Sequence, residues 1–224
     1  VTVQSSEIKA SGSQALSVSY QARGLYALGL KRAVDVVFVL ALLPLVIPFL
    51  ALVAIAISMD GHQPFFRQER VGLNGNRFWM WKFRTMVPDA EKELKHHLAS
   101  NPDAQAEWNS RQKLEEDPRI TRIGRVLRRT SMDELPQLIN VLTGQMSLVG
   151  PRPMMPSQQA LYPGHAYYRM RPGMTGAWQV SARNQSTFAD RAKFDDQYEA
   201  RLSFFTDLAL IGRTVGVVFR GTGI

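Results

Sequence analysis

The sequence predicts an α+β fold, mainly helical, in which an N-terminal membrane helix leads into a small β-hairpin and a compact domain edged by amphipathic interfacial helices. Three observations predict it. No residue from Val36 to Met59 is charged. Two runs between Pro64 and Met86, rich in aromatic residues, flank Asn74-Gly75, a strong hairpin signal. From Pro88 to Arg129 the chain is densely charged, with apolar residues at helical spacing toward its end.

The apolar run comes first. As straight helix, Val36–Met59 would measure roughly 36 Å, enough to cross a hydrocarbon core of about 30 Å. It is too long for the apolar core of a secretory signal, and no small-residue cleavage site follows it. Pro44 and Pro48 lie in its middle and remove two backbone bonds on successive turns, a reason to bend. A kinked spanning helix is the simpler alternative, because membranes tolerate proline. The flanks decide the expectation. Lys31 and Arg32 precede the run, and Arg67, Arg70, Arg77, Lys82 and Arg84 follow it. Positive charge at both ends suits a re-entrant helix, broken at proline, that leaves on the side it entered. Asp35 is read as an interfacial ion pair with Lys31 and Arg32.

Residues 1–30 are expected to be a tail with a short lead-in helix, 31–60 the membrane helix, and 61–224 the main domain. In the hairpin, Trp79 and Trp81 are read either as interfacial anchors or as core. The stretch from Pro88 to Glu116 reads as two solvated helices split at Asn101-Pro102, with His96 and His97 on the surface. Arg119, Arg122, Arg125 and Arg128 then recur every third residue, with Ile120, Ile123, Val126 and Leu127 toward the other side. Residues 144–186 are rich in Gly and Pro and show little helical period, which marks a functional stretch. Thr187 to Ser203 reads as helix, and Leu208 to Phe219 as an apolar segment for the core or the membrane.

The chain carries a formal net charge of +8 and no cysteine. Disulfides and thiolate catalysis are excluded, and anionic partners are favoured. Nucleic acid is not expected, because the arginines cluster near Gly/Pro loops rather than on a recognition helix.

The chemistry centres on LRRTSMDELPQLIN. Ser131 with Glu134 three residues on is a capping box, which by itself would explain the two acids. Pro136 argues instead for a helix start near Asp133. Together with KRAVD before the membrane run, SLVGPRP, RPGMTGAWQVSARN and FFTDLALI, this motif resembles the monotopic phosphoglycosyl transferases. These bacterial sugar transferases begin exopolysaccharide, O-antigen and glycoprotein glycan assembly. The likeness runs from about Leu30 to Gly223 and is closest to the short exopolysaccharide-initiating type.

The resemblance implies a catalytic domain on the cytoplasmic face of the inner membrane, with a UDP-sugar and polyprenyl (undecaprenyl) phosphate as substrates and Mg²⁺ as cofactor. It implies that Asp133 is the nucleophile, forming an aspartyl phosphosugar with release of UMP, and that Glu134, with Asp133, holds the metal. Arg128, Arg152, Arg171 and Arg183 become candidates for phosphate, against a turn contact between prolines for Arg152 and a surface charge beside the Pro172-Gly173 turn for Arg171; Asp207 becomes a candidate for support of the dyad or for a helix start after Thr206. Membrane lipid is an expected partner, and a homodimer is compatible. Two positions depart from the family pattern. Ala182 stands where Gly often precedes Arg-Asn, and the membrane break is Leu43-Pro44 and Ile47-Pro48 rather than Ser-Pro. The competing reading is a non-enzymatic, membrane-anchored partner protein whose arginines hold anionic lipid.

Overall fold

The computed structural model describes residues 25–61, 63–111, 114–181 and 186–219. The tail expected over the first residues, and Arg183 with its neighbours, lie outside them. A turn over Tyr26–Leu30 leads into helix α1, Lys31–Met59. The break expected at Pro44 and Pro48 does not end this helix. Both prolines sit inside it, each costing one backbone bond that an apolar helix can lose.

One stripe of α1 packs on the protein. Val39, Leu43 and Val46 join a cluster with Phe78, Met80, Leu138, Val141 and Met146. Leu50, Val53, Ala54 and Ile57 join another with Phe83 and Leu127. Spacings of three and four residues put all of these on one face. The rest of the surface is bare: Val37, Leu40, Leu45, Leu52, Ile55 and Met59 are exposed. Only 11% of the most apolar 18-residue window is buried, which is not how a core helix of a water-soluble fold packs.

Polar contacts fasten the start of α1. Arg32 donates to the carbonyls of Val141 and Leu142, a cation at a helix C-terminus. Asp35 is buried and accepts from Ser147 Oγ at 2.7 Å and Leu148 N at 3.3 Å. Lys31 Nζ stands 4.0 Å from Asp35 but 2.5 Å from Asp207. The expected pair of Asp35 with Lys31 is present at the limit of ion-pair distance, and each has a nearer partner: Asp35 the strand residues Ser147 and Leu148, Lys31 the carboxylate of Asp207.

Strands β1 (Phe65–Val71) and β2 (Arg77–Phe83) form the antiparallel hairpin, with Phe65 opposite Phe83 and Val71 opposite Arg77. Asn74 and Gly75 both take positive φ, 57° and 79°, as the turn signal requires. Phe78, Met80 and Phe83 point inward, while Trp79 is 55% exposed. Arg67 lies over Trp81, 5.1 Å from its ring centre. Asn140 acts as a partner for β2: its Nδ2 donates to Trp79 O at 2.8 Å and its Oδ1 accepts from Trp81 N at 3.0 Å. These bonds satisfy backbone groups that an edge strand would otherwise leave open.

Helices α2 (Ala90–Ser100) and α3 (Pro102–Arg111) divide where expected. Asn101 Oδ1 accepts from the backbone of Asp103 and Ala104, both at 3.1 Å, a side-chain cap. Helix α4 (Arg122–Arg129) starts at Thr121, whose hydroxyl accepts from Gly124 N. Leu127 faces the core, but Val126 is 63% exposed, so the apolar side of α4 is narrower than the sequence suggested.

The Gly/Pro-rich stretch hides a parallel strand pair. After a 3-10 helix at Met132–Gln137 and helix α5 (Leu138–Leu142), strand β3 (Ser147–Val149) pairs with β4 (Gly173–Thr175). Between the two strands lie a 3-10 helix at Pro156–Leu161 and helix α6 (Ala166–Arg169); α7 (Ala177–Ser181), α8 (Arg191–Ala200) and α9 (Phe204–Phe219) follow. Val149, Ala166, Met170, Tyr198 and Leu210 form the core here.

On α8, buried Asp195 accepts from Tyr162 Oη at 2.7 Å. Burial raises its carboxyl from the ordinary 3.8 to about 7. The folded protein then holds a proton that the unfolded chain loses, so this contribution to stability is full below pH 3.8 and lost as pH rises through about 7. Asp195→Asn keeps an acceptor for Tyr162 and should flatten that decline in thermal unfolding measured from pH 4 to 8.

Candidate active site

Asp133 and Glu134 lie on the 3-10 helix Met132–Gln137, entered through Ser131 at φ 55°. The start with Ser131 in the cap position is found, and the later start near Asp133 is not. Ser131 makes no side-chain cap bond, and Pro136 sits within the 3-10 helix rather than near a helix start. The tight winding places both carboxylates beside strand β2. Lys82 Nζ stands 2.7 Å from Glu134 Oε1 and 4.0 Å from Asp133 Oδ2.

Asp133 is 9% exposed. Burial raises its carboxyl above the ordinary carboxylate value, Lys82 pulls it down, Glu134 pushes it up, and Arg128 pulls it down. Arg128 comes from the end of α4, and its Nε donates to Thr85 Oγ1 at 2.9 Å. Burial lowers its pKa, and the charges of Asp133 and Asp117 raise it. Adjacent acids, one half-buried cation and a guanidinium fixed by Thr85 thus form a site in which charge is balanced.

A cleft of about 250 Å³, open to solvent, runs past Glu134. Lys82, Glu134, Gln137, Arg70, Arg152 and Gln179 are among the residues that line it. Arg152 also lies over Trp178, 5.9 Å from the ring centre.

Of the residues the sequence proposed, Asp133 and Glu134 come together at Lys82, Arg128 acts by its charge on Asp133, and Arg152 reaches the cleft shared with Glu134. Arg171 does not line that cleft; its Nε donates to Gly144 O at 2.8 Å, fastening the turn before β3. Asp207 is not bonded to the dyad. Its carboxylate accepts from Tyr26, Lys31 and Tyr198 at 2.7, 2.5 and 2.6 Å, tying α9 to the start of α1. Arg183 lies outside the described residues. Sequence reasoning missed Lys82, Arg70 and Gln179 as site residues. Lys82 and Arg70 were noted only as charge after the membrane run, and their alternation along the two strands was the available signal.

Asp133 and Glu134 are the carboxylates of this site that would hold a divalent metal. Among the described residues no three Asp, Glu or His side chains gather into a ready cage. Two adjacent carboxylates suffice for Mg²⁺, which takes one or two and shares the substrate's phosphate oxygens.

A family model described as bacterial sugar transferase matches residues 26–221. The UDP-galactose-lipid carrier transferase of Erwinia amylovora is 44% identical over 196 residues, which cover 87% of this chain and 41% of that protein. Exopolysaccharide production protein ExoY of Rhizobium meliloti (strain 1021) is 43% identical over 196 residues, 86% of this chain and 87% of the relative. The UDP-glucose:undecaprenyl-phosphate glucose-1-phosphate transferase of Escherichia coli (strain K12) is 36% identical over 198 residues, 83% of this chain and 39% of that one. The chain thus spans about two fifths of the first and third of these relatives and most of the second.

Proposed function

The chain belongs to the bacterial sugar transferase family, and we propose that it moves a sugar-1-phosphate from a UDP-sugar to undecaprenyl phosphate at the cytoplasmic face of the inner membrane, the first membrane step of exopolysaccharide or glycoconjugate assembly. The observation that carries this reading is the Asp133–Glu134 pair, held against Lys82 at an arginine-lined cleft.

In the first half-reaction an Asp133 oxygen attacks the β-phosphorus of the donor. The bond from that phosphorus to the bridging oxygen breaks, and UMP leaves with its electron pair. In the second, an oxygen of the acceptor phosphate attacks the aspartyl phosphosugar, releases the carboxylate and forms a polyprenyl diphosphate sugar. A carboxylate nucleophile divides one hard displacement into two easier ones. Phosphoryl transfer is otherwise mainly positioning and charge neutralisation. Lys82 and Arg128 supply fixed positive charge beside the nucleophile, where three anions must meet. Asp133 and Glu134 would hold Mg²⁺, which when bound neutralises phosphate charge.

The membrane arrangement is supported by α1 itself. Arg32 and Asp35 near its start, and Ile57 near its end, pack on the same folded body. A helix fastened to one domain along its length suits entry and exit on one bilayer face, with its bare surface in lipid. Exposed Phe65, Phe66 and Trp79 on the hairpin suit the same interface.

The test is UMP release from a panel of UDP-sugars with undecaprenyl phosphate and Mg²⁺ in detergent or nanodiscs. At least one donor should give acceptor-dependent turnover. Silence across galactose, glucose and N-acetylated donors would overturn the reading.

A further inference from the structure

We infer that Thr85 is a positioning residue of the proposed reaction: its hydroxyl holds the Arg128 guanidinium so that a positive charge no carboxylate has cancelled bears on Asp133. This rests on the reading above, in which Asp133 attacks phosphorus. Thr85 lies two residues beyond β2 and is 6% exposed. Its segment runs beside the lead-in to α4. Met86 bridges Ile120, Val87 N donates to Arg119 O at 2.8 Å, and Thr121 N donates to Thr85 O at 3.1 Å. Gly124 presses on the same residue: a Cβ there would stand 2.2 Å from Thr85 O. Arg128 Nε then donates to Thr85 Oγ1 at 2.9 Å. Thr121, Gly124 and Arg128 share one face of the helical path, and that face of α4 is seated on Thr85.

The chemical character of this anchor sets Arg128 apart. Other half-buried cations are fixed by carboxylates: Lys31 by Asp207, Lys82 by Glu134 and Arg119 by Asp117. Among the described residues no carboxylate lies within ion-pair distance of Arg128, and the bond to Thr85 is the one hydrogen bond of its guanidinium. Its terminal nitrogens remain unspent. Burial works against the charge of Arg128, and after burial Asp133 is the strongest influence on it. A threonine hydroxyl fixes the direction of a guanidinium without cancelling its charge, whereas a carboxylate at this place would do both.

That combination suits phosphoryl transfer. An untethered arginine at the last turn of α4 would spread over many rotamers, and ordering it would add to the barrier. Anionic charge gathers on the oxygens of the attacked phosphorus beside Asp133, and a cation already in place stabilises it without reorganisation. Thr85 acts through Arg128. Its backbone carbonyl holds the helix and its hydroxyl holds the guanidinium, so the two contributions separate by substitution.

The test compares wild type, Thr85→Val, Thr85→Ser, Arg128→Gln and the double variant Thr85→Val/Arg128→Gln, each as the full chain in nanodiscs. Thr85→Val keeps the branched shape and the carbonyl bonded to Thr121. It should lower kcat about tenfold and leave KM for the UDP-sugar within about twofold, and Thr85→Ser should restore most of the loss. Added to Arg128→Gln, Thr85→Val should cost nothing further. Wild-type turnover in Thr85→Val overturns the proposal, as do losses that multiply in the double variant. A loss that serine does not restore, matched by a fall in thermal midpoint, would mean a structural role and overturns it too. A second measurement needs no substrate: exchange of the Arg128 Nε proton with water by NMR, its resonance identified by its absence from Arg128→Gln. Exchange should be slow in wild type and Thr85→Ser and fast in Thr85→Val. Fast exchange in wild type overturns the anchor whatever the turnover, and decides the matter even if Thr85→Val misfolds. Slow, Thr85-dependent exchange in a protein that turns over no UDP-sugar would sink the transferase reading and leave the hold on Arg128 standing. Turnover with exchange indifferent to Thr85 would do the reverse.

Discussion

Asp133→Asn is expected to lower sugar-phosphate transfer at least about a thousandfold while leaving the fold intact. The amide matches the carboxyl in size but offers no anionic oxygen to attack phosphorus. Because burial disfavours the charge on Asp133, removing it relieves a cost of the folded state, so the thermal midpoint should not fall. Intact-mass measurement with donor and no acceptor should show a phosphosugar adduct on the wild type and none on the variant. A variant that keeps a tenth of wild-type turnover would place the nucleophile elsewhere. The reactive form is the carboxylate, and its pKa lies above the ordinary value. Activity should therefore rise with pH through a midpoint above 3.8. Lys82→Met removes the charge that opposes this rise, so the same limb should move to still higher pH.

Gly173→Ala should be among the most damaging small substitutions on the scaffold. A Cβ there would stand 2.1 Å from Gly150 N and 2.4 Å from Thr175 O. Both are backbone atoms, one just past β3 and one in β4, and cannot swing aside as a side chain would. Such overpacking costs on the order of 3 kcal/mol or more, a fall in midpoint of roughly 10 °C for a domain of this size. Gly173 also lines the cleft, so turnover should drop even where the variant stays folded. Gly212→Ala is the control. It lies in α9 with nothing within 4 Å of the added atom, and alanine is the better helix former. Its midpoint should hold or rise, and an equal fall in both variants would show that close backbone approach is not what Gly173 provides.

Much of the architecture follows from short-range chemistry. The uncharged run has no partner but lipid or a core, and its length announces α1. Asn74-Gly75 accepts the positive φ angles of a hairpin turn, and Asn101-Pro102 divides two helices because asparagine caps and proline cannot continue the preceding one. Asp133 and Glu134 are neighbours in the chain, so a shared site for them was visible before any folding. What lay beyond the sequence was which distant charges would meet. Lys82 and Glu134 are 52 residues apart, and Arg171 and Asp207, alike in type to residues at the cleft, were drawn instead to Gly144 and Lys31. The β3–β4 pairing was equally hidden, because strands of 3 residues are too short to carry a hydrophobic period. Periodicity and turn preference are properties of adjacent backbone and can be read along a line. Charge partnership and close backbone approach are decided by packing in three dimensions, where the core brings strands and helices together regardless of their order.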